Sequence, residues 1–154
     1  MQLSAHFSLA ELSHSATATA DGLDNTPDAA AQANLTRLAA TILEPIRALL
    51  GVPIIITDAY RSPAVNAADG GVAHSQHQQG LAADWVTESQ PHPFMPSSDD
   101  FNTVHWSDIP YDQLILESGC IHVSCAADGE TPRREALLRA GSPGAWTYSN
   151  AIGP

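Results

Sequence analysis

The stretch HSQHQQGLAAD, residues 74–84, decides how this chain is read. His74 and His77 stand three residues apart, and a glycine, a leucine, two alanines and an aspartate close the stretch. Taken alone, it is a polar loop that runs into a short strand, GLAADWV (80–86). The alternative is that His77 and Asp84 hold something between them. Gly80 and the small Ala82 and Ala83 would let the backbone fold back tightly, so that the two side chains converge.

Outward from this stretch, the flanking segments also read as strands. PIIITDAY (53–60) is a β-branched run of the kind found in buried strands. YDQLILE (111–117) and CIHVSCA (120–126) read as two strands joined by a tight turn at Ser118-Gly119, a hairpin. The N-terminal half reads as helical. In HFSLAELSHSATA (6–18), Ser8 suits an N-cap and Glu11 stands at the capping-box spacing. In residues 28–51, Leu35, Leu38, Ile42, Ile46 and Leu49 recur at helical spacing, and Gly51 ends the run. Pro45 should kink this helix or divide it in two.

RSPAVNAADGG (61–71) reads as loop or a short helical turn, and residues 87–100 as proline-rich and irregular. SSDDFNTVHW (97–106) reads as a helix capped by Ser98 or Asp99. PRREALLRAG (132–141) reads as a short helix or a frayed tail. Helices first, then strands with one helix between, predicts an α+β fold with N-terminal helices on a small, mainly antiparallel sheet. The 154 residues suit a single domain, 1–154, with its motif core at about 51–126.

Charge excludes some partners. The formal net charge is −11, with six arginines and no lysine. Phosphate-rich nucleic acid and anionic membranes both call for a basic surface, so neither is an expected partner. No apolar run approaches the ~18–20 residues of a membrane span. MQLSAHFSLAEL (1–12) lacks the basic and apolar segments of a signal peptide. The expectation is a monomer that stays cytoplasmic until release, or one that is phage-associated. Cys120 and Cys125 are five residues apart on one strand, so they point to opposite faces and are not expected to bond to each other. Cys120 shares a face with His122.

Three groups with ligand chemistry sit on or beside expected strands: His77, Asp84 and His122. Imidazole and carboxylate are donors that zinc accepts together, and a catalytic zinc site takes three protein ligands. Glu117 ends the strand before His122, where a carboxylate suits proton transfer. Arg61 is one of few cations, and a guanidinium in a cleft suits a carboxylate held through two parallel hydrogen bonds. Each has an ordinary alternative. A lone histidine is usually a surface residue, Asp84 can cap a turn, Glu117 can be a solvated strand end and Arg61 an ion-pair partner. His74 is the obvious decoy, as the motif's neighbour.

The ordered set of motifs nevertheless resembles a known family. SQHQQGLAAD (75–84) resembles the Ser-x-His-x-x-Gly-x-Ala-x-Asp motif of the zinc D-alanyl-D-alanine carboxypeptidases and their relatives of the hedgehog/DD-peptidase fold. ITDAYRSPAVN (56–66) is similar to a segment that usually reads ITSGYRSPAVN. YDQLILE followed by IHVS resembles the strand pair with the catalytic glutamate and the last zinc histidine. The helical lead-in resembles that of short bacterial and phage members.

The resemblance implies one Zn2+ held by His77, Asp84 and His122, with Glu117 as general base. It assigns Arg61 and Ser75 to the substrate's terminal carboxylate or a nearby carbonyl. It implies a metallopeptidase acting on peptidoglycan stem peptides, as a D-Ala-D-Ala-type carboxypeptidase. The alternatives are an endopeptidase (an endolysin) on the same fold and a non-catalytic zinc-binding or phage structural module. Three positions depart from the pattern: Asp58-Ala59 for Ser-Gly, Cys120 for a tryptophan, and the proline-rich stretch 92–100 for a regular helix. The Glu117-to-His122 interval also varies in this group.

Overall fold

The computed structural model describes residues 1–88, 97–142 and 144–151. Ser8 accepts a hydrogen bond from the Glu11 N–H and starts α1 (Leu9–Leu12); Ser15 does the same for Ala18 at the head of α2 (Ala16–Asp21). The single expected helix here is therefore two, because each serine offers its own cap. Asp28 caps α3 (Ala29–Leu38), which passes through a π-helical turn (Ala39–Leu43) into α4 (Glu44–Leu50). Proline has no N–H and its ring crowds the preceding turn, so the widened turn just before Pro45 is the division the sequence foretold. Gly51 closes α4 in the left-handed conformation at φ 68°.

β1 (Ile54–Asp58) is followed by α5 (Pro63–Ala68), capped by Ser62. After a 3-10 turn (Gln76–Gln79) comes β2 (Ala82–Thr87). The cap of α6 (Ser98–His105) is Ser97, one residue ahead of the expected Ser98 or Asp99. β3 (Gln113–Leu116) and β4 (Ile121–Ser124) form the expected antiparallel pair, and the Glu117 N–H closes the turn on the Cys120 carbonyl at 3.0 Å. Residues 89–96, most of the proline-rich stretch, lie outside the described residues.

One expectation is overturned. The segment 132–141 contributes a strand, β5 (Glu135–Ser142), that pairs in parallel with β3 and antiparallel with β6 (Ala145–Asn150). Arginine, alanine and leucine favour helix in isolation, but pairing with an open sheet edge overrides local preference. Arg134 directs the entry. It has a positive φ of 56°, its guanidinium donates to the carbonyls of His105, Ser107 and Ile109, and it stacks 4.4 Å over the Tyr111 ring.

The six strands run in the order β1-β2-β4-β3-β5-β6, antiparallel except for β3 with β5. Strand alternation gives the sheet two faces. Ala83, Val123, Leu114 and Ala136 form one row by register, and all are buried in the core that holds Trp85 and Ile121 as well as the helical Leu35, Leu38, Ile42 and Ile46. Each valine, leucine or isoleucine among them contributes roughly 1.5–3 kcal/mol by leaving water. The adjacent row is Asp58, Asp84, His122, Ile115, Leu137 and Asn150. It belongs to the other face, so burying the core turns the titratable groups together to the opposite side.

Candidate metal centre and cleft

The motif stretch folds around its glycine. Ser75 accepts from the His77 N–H, the 3-10 turn carries His77, and Gly80 turns the chain at φ 70° into β2. A Cβ at Gly80 would lie 2.6 Å from the Ala31 carbonyl oxygen and 3.1 Å from Leu35 Cγ. The turn is thus pressed against α3, and only glycine fits. Four residues later Asp84 stands in β2 directly opposite His122 of β4.

The three expected ligands meet. His122 Nδ1 lies 2.8 Å from Asp84 Oδ1, His77 Nε2 lies 3.4 Å from the same oxygen, and the two ring nitrogens are 3.2 Å apart. All three residues are buried. His77 donates from Nδ1 to the Ala59 carbonyl at 2.6 Å, which leaves Nε2 with its lone pair turned to the group. Donors bonded at ~2.0–2.2 Å around a tetrahedral ion stand roughly 3.3–3.6 Å apart. Two of the three separations fall close to that span and the third is a little shorter. The nitrogen, nitrogen and oxygen donor set fits a divalent cation, and zinc in particular accepts it.

The electrostatics agree. Burial opposes the charge on Asp84, yet the two imidazoles hold its carboxyl far below the usual carboxylate range. Burial likewise disfavours imidazolium at His77, and the Asp84 carboxylate outweighs it, so the ring's pKa stands above its ordinary value. Both shifts describe a carboxylate that attracts positive charge to this point, whether it arrives as a proton or as a metal ion.

The trio lies on the floor of an open cleft of about 1180 Å³, which Asp58, Arg61, Ser75, Glu117, Arg139 and Trp146 also line. His74 lines the cleft rim, exposed, and is not one of the converging groups. Glu117 follows β3 at the turn. Burial and the Asp84 charge push its carboxyl up, against Arg139, His122 and a contact from the Cys120 thiol. That thiol is 3.6 Å from Glu117 Oε2, and burial together with the two nearby carboxylates pushes it well up, so it is no nucleophile. Neither Cys120 nor Cys125 is in a disulfide.

Arg61 is placed in the cleft with three carboxylates around it. Its Nε pairs with Asp58 and lies 3.9 Å from Asp69, and its Nη2 lies 3.6 Å from Asp84 Oδ2. A bulge in β1 sets Asp58 opposite Asp84, and burial pushes the Asp58 carboxyl up in spite of His77 and Arg61. Asp58, one of the departures noted from the sequence, takes the guanidinium's Nε–H. Ser75 spends its hydroxyl oxygen on the turn that presents His77.

Sequence reasoning missed Arg139. It reaches from β5 to Glu117, with Nη2 2.5 Å from Oε2, and stacks 4.3 Å over the Trp146 ring. The signal was slight: one arginine in a segment read as a helix or tail.

Residues 5–101 match a family model described as Peptidase M15. That span includes Arg61, Ser75, His77 and Asp84, while Glu117, His122 and Arg139 lie beyond it. No curated protein matches the chain.

Proposed function

Because the chain belongs to the peptidase M15 family, we propose that it hydrolyses the amide next to a D-amino acid in peptidoglycan stem peptides, as a D-Ala-D-Ala-type carboxypeptidase. The family is one of zinc metallopeptidases with cell-wall peptide substrates. The observation that carries the reading is the convergence of His77, Asp84 and His122 in a cleft that Glu117 also lines. In this reading the three hold one zinc ion. When bound, zinc supplies Lewis acidity towards a carbonyl and lowers the pKa of water.

The chain's own residues do the rest. Glu117 accepts the proton of the attacking water on a carboxylate oxygen and delivers it to the leaving amine as the C–N bond breaks. The Ala59 carbonyl fixes the His77 tautomer, and Arg61 braces Asp58 and Asp84.

Endopeptidase cleavage is the second reading. The three carboxylates around Arg61 favour it, since their charge opposes a free C-terminus at that guanidinium. Purified protein should be assayed for zinc, then incubated with a stem pentapeptide ending in D-Ala-D-Ala and with crosslinked muropeptides. Release of free D-alanine supports the carboxypeptidase, and cleavage within the crosslinked peptide alone supports the endopeptidase. A protein that binds no zinc and cuts neither sinks both.

A further inference from the structure

We propose that Arg139, rather than Arg61, is the receptor for a substrate carboxylate in this cleft. The inference rests on the peptidase reading and concerns its specificity. Three arginines line the cleft: Arg61, Arg133 and Arg139. Two of them already face more than one carboxylate, which opposes the approach of another. Arg61 hydrogen-bonds Asp58 through Nε and lies 3.9 Å from Asp69 and 3.6 Å from Asp84, so three negative charges surround it. Arg133 grips Asp112 through Nε and Nη2 and reaches Glu135 through Nη1.

Arg139 has capacity left. Among the described residues Glu117 is its one carboxylate partner, engaged through Nη2. Its Nε is buried and has no hydrogen-bond partner. A buried donor left unmatched is costly, and native proteins leave few of them without a reason. Stacking on Trp146 fixes the plane of the guanidinium, so the fork is held ready rather than free to swing. The register adds direction. Arg139 pairs with Tyr148, and Gly141 with Trp146, which places Arg139, Trp146 and Tyr148 on the strand face that lines the cleft.

A carboxylate bound here sits beside Glu117, the group assigned to the proton transfer. The scissile amide of a peptide whose acid end rests on Arg139 is thereby held near both Glu117 and the converging ligands. Recognition of the acid end then belongs to β5 and β6, outside the stretch that the family model matches.

The test compares an N-acylated L-Lys-D-Ala-D-Ala peptide as free acid and as C-terminal amide. Binding is measured by calorimetry on zinc-loaded Glu117→Gln protein, which keeps the peptide intact. Hydrolysis is measured on zinc-loaded protein with Glu117 in place. The free acid should bind roughly 10–100-fold tighter than the amide, the worth of a charge-assisted contact. Adding Arg139→Gln should abolish that preference, and adding Arg139→Lys should restore only part of it. Circular dichroism confirms that each variant is folded. If Arg139→Gln keeps the preference while the unmutated enzyme still cleaves the peptide, this inference is overturned and the peptidase reading stands. If the peptide is neither bound nor cleaved, both fall.

Discussion

Asp84 and His122 are direct cross-strand partners in β2 and β4, and their side chains meet at 2.8 Å on the face away from the core. Sheet register rather than a loop sets this half of the centre, and His77 is brought to it by the Gly80 turn. The protein should bind about one equivalent of zinc. His77→Ala and His122→Ala should each lose it on dialysis, as read by elemental analysis. With the ion at a hundredfold excess over its Kd, binding adds about 2.7 kcal/mol, so chelation should lower Tm by roughly 5–10 °C. A His77→Ala protein that keeps stoichiometric zinc would place the metal elsewhere.

Glu117→Gln removes the proton acceptor and keeps the shape of the side chain. It should retain zinc and fold while kcat falls by about 10²–10⁴-fold, the usual worth of a positioned acid–base group. Near-normal turnover would pass the role to another carboxylate that lines the cleft, such as Asp58, and not to Asp112. Asp112 is already gripped by Arg133, which holds its carboxyl low and makes it a poor base.

The acid limb of the pH profile should carry the Glu117 signature. A base must be ionised, so activity is lost as pH falls through its pKa. Burial and the Asp84 charge raise that pKa in the metal-free protein, and a bound divalent cation would pull it back down. Arg139 also lowers it. Arg139→Gln should therefore move the limb of kcat/KM to higher pH, with the same metal present in both proteins. A limb that stays put or moves to lower pH would separate Arg139 from the base.

The N-terminal helices were legible because they leave a local mark. Leu35, Leu38, Ile42 and Ile46 repeat at helical spacing, and the Pro45 break needs no tertiary knowledge. The trio showed as chemistry-bearing residues beside strands, each with an ordinary alternative, and only the family resemblance joined them as a set. β5 left no such mark: Glu135–Ser142 is mostly half-buried or exposed, its composition suits a helix, and its partner β3 lies about twenty residues upstream with a hairpin between. Arg139 could not be placed until that strand was. The commitment of Arg61 was half visible, since Asp58 stood out as a departure from the pattern, but Asp69 joins it only through the fold.

Gly80 offers a test of how the motif turn is held. Gly80→Ala must adopt a left-handed φ of 70° and drive a methyl group against the Ala31 carbonyl in α3. The conformation alone costs about 1–2 kcal/mol, and the clash adds to it. Tm should fall by about 5 °C or more, and zinc affinity should fall with it as His77 moves. Gly119→Ala is the control, because nothing lies within 4 Å of a Cβ there and its φ is not positive. Equal effects at the two positions would mean that the turn does not depend on contact with α3.

Arg61 should prove to be a brace. Its side chain is 16% exposed and sits against Asp58, Asp69 and Asp84, while its backbone N–H donates to the His77 carbonyl at 3.2 Å. In the metal-free protein, Arg61→Ala leaves Asp58 and Asp84 facing each other without the guanidinium between them. A pair this well covered costs about 2–3 kcal/mol to break, towards the lower end for buried ions because some water still reaches it. The loss should depend on pH. Burial already sets the folded pKa of Asp58 above its unfolded value, and removing Arg61 raises it further. The folded variant then holds a proton that the unfolded chain releases, so its stability falls as pH rises through that window. The deficit against the unmutated protein should be small near pH 4 and largest towards pH 7, measured by urea unfolding. Zinc should be retained, because taking a positive charge away from Asp84 does not weaken its attraction for a cation. On free-acid and amidated peptides, kcat/KM should fall by the same factor. A loss tenfold greater on the free acid would return the carboxylate to Arg61 and take it from Arg139.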